Sequence, residues 1–331
     1  MKKCANKIAP HLTHLINTIL RTKKFPKIYK VSRILPMSKP LLDRNDIANF
    51  RPLNNLCCIE KVIESHILHH LEIFLDKNNI LDKNHHGGRK HHSTVTAMTV
   101  IYNQLYQNKE NNITSVVLAS DLSSAYETID ISILMDKIEH YGIRGGWLEL
   151  FRSYYTDRKQ FVRIDNANSI VRNSPECSVL QGSRISGTMF NIYCNEIPRL
   201  HKLINTEIYF KLVNSIKMDI KGISHLVVNF VDDSNNIIGF KEHNKIKIYL
   251  ENYYNLLIRY YNINKLKINN DKNKLLIISP VNLYNVLKNF SFQAGKYVVK
   301  CKSKVKILGT YIQNDLKMDG EIALFIIELI M

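Results

Sequence analysis

Two apolar, strand-like segments that lead into aspartates constrain the fold of this chain more than any other feature. Residues 114–120 (TSVVLAS) have the composition of a buried strand and run directly into Asp121. Residues 225–240 (HLVVNFVDDSNNIIGF) contain two apolar segments around a polar stretch, which indicates a hairpin. Asp232 and Asp233 lie at its predicted tip, although Asp and Asn are also ordinary turn residues. The two segments predict a sheet that carries carboxylates where its strands end.

Helical periodicity accounts for much of the remaining chain. Periodic apolar positions predict helices over residues 5–22, 58–75, 94–107 (with Ser93 as N-cap), 132–141, 147–155, 186–196 and 244–260. Extended segments rich in β-branched residues predict further strands over 28–39, 160–164 and 266–278. Because the strands and helices do not alternate regularly, the predicted fold class is α+β.

The chain carries a large positive charge. Its 331 residues include 46 Lys and Arg against 29 Asp and Glu, a formal net charge of +17. Such a surplus favours a polyanionic partner such as nucleic acid, because neutralising phosphates releases condensed counterions, although an unusually soluble basic protein has the same balance. The six cysteines form no C-x-x-C pair, and no signal-peptide core or membrane-length segment is present. We therefore expect an intracellular protein of the cytoplasm or nucleus, without a membrane partner.

Carboxylates at neighbouring strand ends suit phosphoryl transfer. Two divalent cations about 3.5–4 Å apart can hold the attacking and leaving oxygens, and hard cations prefer oxygen ligands. We therefore predict that Asp121, Asp232 and Asp233 bind Mg²⁺ or Mn²⁺ and are the catalytic residues. Adjacent residues of a strand point to opposite faces, so we expect Asp232 to join Asp121 while Asp233 approaches from the turn or acts more weakly.

The surroundings of these aspartates resemble motifs of the reverse transcriptase family, particularly its non-LTR retrotransposon branch. The three strongest matches are Asp121 with Ala125, Tyr126 and Glu127, then Gln-Gly-Ser at 181–183, then Phe-Val-Asp-Asp at 230–233. Weaker matches occur in the family order at 49–52 (NFRP), 87–94 (GGRKHHST), 154–160 (Tyr-x-x-x-Arg-x-Gln), 266–274 (LKINNDKNK) and 305–312 (VKILGTYI). The resemblance extends from about residue 25 to about residue 320.

The resemblance implies a right-hand polymerase fold. We expect fingers over residues 1–113, a palm over 114–300 with a fingers-like insertion about 132–175, and the end of the palm with the start of a truncated thumb over 301–331. The apolar tail at 322–331 is expected to be a packed helix. Since only the start of a thumb and no endonuclease is recognisable, we expect a stand-alone fragment or a decaying gene copy.

The resemblance also implies five nucleotide-binding residues. Arg89 would hold the triphosphate bidentately. Tyr126 would exclude a 2′-hydroxyl, and Gly182 would let the backbone approach the nascent base pair beside Gln181. Lys272 would neutralise or protonate the leaving pyrophosphate. For each of them an ordinary surface, turn or core role remains an open alternative. Lys39 and Arg51 are expected to contact phosphates.

The implied activity is RNA-directed DNA synthesis, in which deoxynucleotides are added to a primer 3′-hydroxyl. The implied partners are an RNA template, a DNA or RNA primer and deoxynucleoside triphosphates, and the oligomeric state is open. Two alternatives remain, namely an inactive retroelement remnant that only binds nucleic acid and an RNA-dependent RNA polymerase. An aromatic residue at Tyr126 argues against the second. The histidines at 66, 69, 70, 85, 86, 91 and 92 lack acidic or thiol partners at zinc-binding spacing, so we expect them on a solvated surface.

Overall fold

The computed structural model describes residues 4–38, 43, 45–175, 177–213, 217–269, 272–279, 287 and 289–316. The chain divides into two compact units, the first from the described residues of Met1–Leu81 and Tyr126–Tyr193, the second from those of Asp82–Ala125 and Cys194–Met331. The predicted fingers, palm and thumb boundaries differ from these divisions and stay predictions. The expected helix at 322–331 and the expected phosphate contact of Lys39 lie outside the described residues.

Helices and strands are both abundant, which confirms the predicted α+β class. The α-helices of the described residues are α1 (Ala5–Thr22), α2 (Cys58–Lys77), α3 (Thr94–Glu110), α4 (Ile131–His140), α5 (Gly146–Tyr155), α6 (Ser186–Tyr193), α7 (Glu207–Val213) and α8 (Lys245–Ile263). The strands are β1 (Val31–Ser38), β2 (Phe50–Asn55), β3 (Thr114–Ser120), β4 (Leu122–Ser123), β5 (Lys159–Ile164), β6 (Ala167–Asn168), β7 (Arg172–Asn173), β8 (Ile223–Phe230), β9 (Asp233–Phe240), β10 (Lys267–Ile268), β11 (Lys274–Ile278), β12 (Ser291–Ala294), β13 (Tyr297–Lys302), β14 (Lys304–Ile307) and β15 (Thr310–Gln313).

The first unit combines helices with a five-stranded sheet. The strand order is β2-β1-β5-β6, and β7 also pairs with β5. Strand β1 runs antiparallel to β2 and parallel to β5. Helix α2 buries an apolar stripe at Ile63, Ile67, Leu71 and Leu75, as its periodicity predicts. The same helix also buries two acidic residues, Glu60 and Glu64, which periodicity does not predict.

The second unit is built on a six-stranded sheet with the order β12-β13-β11-β3-β9-β8. Strand β3 is central, antiparallel to both β9 and β11, and almost completely buried. Helix α3 covers one side of this sheet through a buried cluster that includes Met98, Ile101, Val117 and Ile237. Its N-terminus has a capping box, in which Ser93 Oγ accepts a hydrogen bond from the Thr96 amide at 3.2 Å. The sheet therefore fixes where β3 ends and where β9 begins.

The hairpin that carries the paired aspartates is tighter than predicted. Phe230 pairs directly with Asp233, so only Val231 and Asp232 form the loop. The polar residues Ser234, Asn235 and Asn236, expected in the turn, are buried residues of β9. The expectation that Asp233 approaches from the turn is therefore wrong, because Asp232 is the turn residue and Asp233 begins the strand. The two-residue loop follows from the antiparallel register, which pairs every residue from 223 to 230 with one from 233 to 240.

The predicted helices at the N-terminus, after Ser93, and over 244–260 are confirmed with small shifts of their ends. The aromatic residues along α8 belong mostly to the core. Among them, Tyr253, Tyr254 and Tyr261 are no more than 1% exposed. Among the described residues, no helix combines the length and hydrophobicity required to cross a bilayer.

Candidate active site

Two of the three predicted metal-binding aspartates line one cavity of the second unit. Asp121 follows β3, Asp233 begins β9, and the last residue pair between these strands is Ser120 with Ser234. The antiparallel register therefore brings Asp121 and Asp233 to the same end of the sheet. Both line a cavity of about 270 Å³. Asp232, on the loop before β9, is not among the residues that line it.

The same cavity is rich in cations. Lys272, Lys274 and Lys306 line it, together with the turn of the β14–β15 hairpin at residues 307–309. Lys274 also donates a hydrogen bond of 2.7 Å to the Lys306 carbonyl, which connects β11 to that hairpin. The cavity therefore offers carboxylates that can bind a metal cation and ammonium groups that can bind phosphates.

The carboxylates interact electrostatically. Burial, together with the negative charges of Asp232 and Asp121, raises the pKa of Asp233 from 3.8 to about 6. Lys274 and Lys272 act in the opposite direction. Asp232 therefore lies close enough to raise the pKa of Asp233 by its charge, although Asp232 itself belongs to the loop. Carboxylates that repel one another in this way are stabilised by any cation bound between them.

Lys272 lies directly at the first aspartate. Its Nζ is 2.8 Å from Asp121 Oδ2, and its side chain is 64% exposed whereas that of Asp121 is 14% exposed. Because the lysine is largely solvated, the ion pair contributes little to stability and can be exchanged for another cation. The contact demonstrates that the Asp121 carboxylate accepts a cation at the cavity.

The donor set fits a hard divalent cation, but the structure holds no complete coordination shell. Within the part of the chain that the structure describes, no three His, Cys, Asp or Glu side chains are grouped for a metal ion. Asp121 and Asp233 both offer carboxylate oxygens, the ligands that Mg²⁺ or Mn²⁺ prefers, and the ammonium group of Lys272 at Asp121 lies where such a cation would be held. The predicted role of Asp232 as a ligand stays a prediction.

The hairpin tip is strained and tightly packed. Val231 has a φ of 54°, in the left-handed region that β-branched residues avoid. A β-carbon added to Gly87 would lie 2.5 Å from Val231 Cγ2, so a larger residue does not fit against the tip. His85 and Asn229 form a parallel bridge beside it, and the His86 amide donates to the Asn229 carbonyl at 2.8 Å. The loop before α3 therefore supports the turn that carries Asp232.

Two histidines of the loop before α3 contradict the expected solvated surface. His85 is completely buried and His86 nearly so, whereas a solvated surface was expected. Burial lowers the pKa of each from 6.5 to about 4. Arg89, the predicted triphosphate ligand of the same loop, is half-buried, and its Nη1 donates to the Asp82 carbonyl at 3.0 Å. It does not line the cavity of Asp121, and its nucleotide role stays a prediction.

The other predicted nucleotide-binding residues belong to the first unit. The Tyr126 ring packs against that of Phe190 at 5.6 Å between centroids. The Gln181 carbonyl accepts a hydrogen bond of 2.7 Å from the Asn54 amide. Gly182 has a φ of 114°, and a β-carbon there would lie 2.5 Å from the Asn54 carbonyl oxygen, so glycine is required at this turn. The close approach that Gly182 makes within this unit is to β2, and nucleotide contact by these residues stays a prediction.

Comparisons with known proteins agree with the motifs. The pattern of the family described as "Reverse transcriptase (RNA-dependent DNA polymerase)" matches residues 39–312. Among curated proteins, the chain is 26% identical over 194 residues to "Probable RNA-directed DNA polymerase from transposon BS" of Drosophila melanogaster, covering 57% of this chain and 20% of that protein. It is 24% identical over 195 residues to "RNA-directed DNA polymerase from mobile element jockey" of the same species, covering 56% and 20%. The chain thus spans about a fifth of the length of these relatives.

Solved structures show the same fold. Apo telomerase from Candida tropicalis, truncated from its C-terminal domain, superposes with a TM-score of 0.56 at 12% identity, covering 89% of this chain and 56% of that one. Telomerase from Candida albicans, solved with a fragment of telomeric RNA, gives a TM-score of 0.55 at 12% identity, covering 92% and 49%. These neighbours and the family match confirm the right-hand polymerase fold. The retrotransposon relatives confirm the resemblance to the non-LTR branch. Since the matched pattern spans residues 39–312 of 331, this protein belongs to the reverse transcriptase family.

Proposed function

We propose that the chain is an RNA-directed DNA polymerase that adds deoxynucleotides to a primer 3′-hydroxyl by two-metal phosphoryl transfer. The observation that carries this proposal is the pairing of Asp121 and Asp233 in one lysine-lined cavity at the end of the β3–β9 strand pair. Membership of the reverse transcriptase family supports the same chemistry. The proposed substrates are an RNA template, a DNA or RNA primer and deoxynucleoside triphosphates.

Asp121, Asp232 and Asp233 are the proposed holders of Mg²⁺ or Mn²⁺. When bound, such cations lower the pKa of the attacking hydroxyl and neutralise charge on the transferred phosphoryl group. The rigid sheet fixes Asp121 and Asp233, since each is joined to a strand of the β3–β9 ladder. The ammonium group of Lys272 would leave Asp121 as the cations bind and turn to the phosphates. Its high exposure allows that movement.

The lysines and the remaining predicted residues have complementary proposed roles. Lys272, Lys274 and Lys306 would attract the phosphates that enter the cavity, because each ammonium group lies beside it. Arg89 is proposed to hold the triphosphate, and Tyr126 to select deoxynucleotides by excluding a 2′-hydroxyl. Gln181 and Gly182 are proposed to contact the nascent base pair. The proposed subdomains are those expected from the resemblance, with the catalytic aspartates in the palm.

Primer extension on an RNA template with Mg²⁺ tests the proposal. We expect Asp121→Asn, Asp232→Asn and Asp233→Asn each to reduce extension by about three orders of magnitude, because a metal site supplies several kcal/mol and each 1.36 kcal/mol is tenfold in rate. Asp165→Asn is the matched control, since Asp165 is exposed in a turn with a φ of 49° that asparagine tolerates. Unfolding curves should show that all four variants fold.

The other outcomes identify the alternatives. Template binding without extension by the wild-type chain would favour an inactive remnant. Preferential use of ribonucleotides would favour an RNA-dependent RNA polymerase and contradict the proposed role of Tyr126. Full activity of Asp121→Asn would overturn the metal-binding assignment.

A further inference from the structure

A buried polar network in the first unit has no part in the mechanism above. Glu64 of α2 is completely buried, and its Oε2 accepts a hydrogen bond of 3.0 Å from the Arg184 amide. Its Oε1 lies 2.5 Å from the hydroxyl of Tyr154, a residue of α5 that is 1% exposed. One carboxylate therefore connects two helices to the segment that follows Gln181 and Gly182.

Tyr154 also reaches this segment directly. Its hydroxyl oxygen lies 3.2 Å from Ser183 Oγ. The phenol has a single proton, and an ionised carboxylate can only accept, so that proton goes to Glu64. The Ser183 hydroxyl then donates to the phenol oxygen, while Ser183 Oγ accepts from the Ile185 amide at 3.2 Å. The donor and the acceptor of every hydrogen bond in the series that links Glu64, Tyr154, Ser183 and Ile185 are thereby fixed.

A second buried ion pair lies beside this network. Arg158 Nη2 is 2.6 Å from Glu60 Oε1, and both side chains are at most 3% exposed. The Arg158 guanidinium also lies over the Tyr154 ring, 4.7 Å from its centroid. Burying two carboxylates and a guanidinium costs desolvation energy that apolar side chains of the same size would not. Such a network specifies one geometry rather than adding stability, so its effect falls on the segment that it contacts.

That segment is held from two sides. Asn54 of β2 donates to the Gln181 carbonyl and leaves no space for a side chain at residue 182. Glu64 and Tyr154 contact the next two residues, Ser183 and Arg184. Each of the four residues 181–184 therefore has a contact that restricts the turn, while the Gln181 side chain remains partly exposed.

We propose that Glu64 and Tyr154 are positioning residues, which hold the turn at 181–184 in the one conformation that binds the incoming deoxynucleotide and its base pair. The proposal rests on the proposed function, because it assumes that Gln181 and Gly182 contact the nascent base pair. Neither Glu64 nor Tyr154 touches the substrate. Their effect is to remove alternative conformations of the turn before the nucleotide binds.

Tyr154→Phe is the sharpest test, because it removes one oxygen and leaves the packing of the ring. We expect the KM for the incoming deoxynucleotide to rise about tenfold while kcat stays within about twofold. Amide hydrogen exchange at residues 183–185 should accelerate about tenfold in the protein without nucleic acid or metal. The affinity for a primer–template should not change.

Tyr155→Phe is a matched control on the same helix. Tyr155 is also buried, but among the described residues its hydroxyl has no hydrogen-bond partner, so its removal should change neither KM nor exchange. Glu64→Gln is a second variant, because a glutamine oxygen can still accept from the Arg184 amide while the charge is lost. Its KM should lie between those of the wild type and Tyr154→Phe.

The outcomes separate this inference from the polymerase proposal. If the wild-type chain extends primers and Tyr154→Phe has an unchanged KM, the positioning role is wrong whatever the exchange rates are. If the wild-type chain does not extend primers, the proposed function fails. In that case faster exchange at 183–185 in Tyr154→Phe, but not in Tyr155→Phe, still supports the fixed turn, and equal exchange in both overturns it.

Discussion

Asn236 shows how much one buried side chain can organise. It is completely buried in the middle of β9, and its Oδ1 accepts from Tyr253 at 2.7 Å and from His225 Nε2 at 3.0 Å. Its Nδ2 donates to the Leu118 carbonyl of β3 at 3.1 Å. One amide therefore joins β3, β8, β9 and α8. These are the elements that support the hairpin of Asp232 and Asp233.

We predict that Asn236→Leu lowers the free energy of unfolding by roughly 2–4 kcal/mol. Leucine has a similar volume but leaves the donors of Tyr253 and His225 buried without an acceptor, and each such group costs about 1–3 kcal/mol. Urea unfolding measures the loss. The double variant Asn236→Leu with Tyr253→Phe should recover about 1 kcal/mol of it, because the unpaired hydroxyl is gone. Strictly additive losses would contradict this account.

The sequence could not reveal this role, for a physical reason. Asn and Ser are common turn residues, so 234–236 is predicted as part of a loop. What places them in a buried strand is the set of partners at 118, 225 and 253, and only the folded chain brings those residues together. By contrast, Asp121 was predictable, because an apolar strand leads directly into it. Glu64 was not, since its partners Tyr154 and Arg184 are 90 and 120 residues away.

At the scale of elements, the contact between β8 and α8 should respond to pH. Burial lowers the pKa of His225 from 6.5 to about 3, and His201 beside it acts in the same direction. The rings of His225 and His201 are 4.7 Å apart, and among the described residues the other polar side chains against His225 are Tyr249, Tyr253 and Asn236. No carboxylate is among these contacts, so protonation of the folded state stays unfavourable.

We predict that this contact loses stability on acidification. As the pH falls below 6.5 the unfolded chain binds a proton at His225, whereas the folded chain does not until near pH 3. Stability is therefore fully present above pH 6.5 and decreases toward pH 3, by about 2 kcal/mol between pH 7 and pH 5. Urea unfolding at the two pH values measures this loss. His225→Phe should be less stable at pH 7 but should lose about 2 kcal/mol less than the wild type between pH 7 and pH 5, and an unchanged difference would refute the assignment.

The elements differ in how far the sequence predicts them. Most helices were predictable because each displays its own apolar periodicity, as α2 does. The order of the second sheet was not, because β3 pairs with β9 and β11, which follow it by more than 110 and 150 residues. Local patterns identify the strands, but they do not contain the information that selects partners.

At the scale of the whole molecule, each compact unit is formed by two separate segments of the chain. Neighbouring segments of the chain therefore do not always belong to the same compact unit. The net charge of +17 is different, because it is a property of composition that needs no fold to be known. It predicts that the molecule binds polyanions but not where on its surface it does so.

The salt dependence of RNA binding can decide whether that charge acts through the cavity. For single-stranded RNA, log K should fall linearly with log salt, with a slope of about −0.7 for each phosphate neutralised. We predict that replacing Lys272, Lys274 and Lys306 together by Gln makes the slope shallower by about 2, since all three line the cavity of Asp121.

The control triple variant replaces the exposed lysines at 221, 241 and 247, which removes the same total charge from the same unit. If binding depends on total charge alone, both triple variants change the slope equally. If the cavity lysines contact phosphates, only the first variant changes it by the full amount, because counterions are released where phosphates are neutralised and not from distant lysines. Fluorescence anisotropy of a labelled single-stranded RNA, titrated at several salt concentrations, distinguishes the two cases.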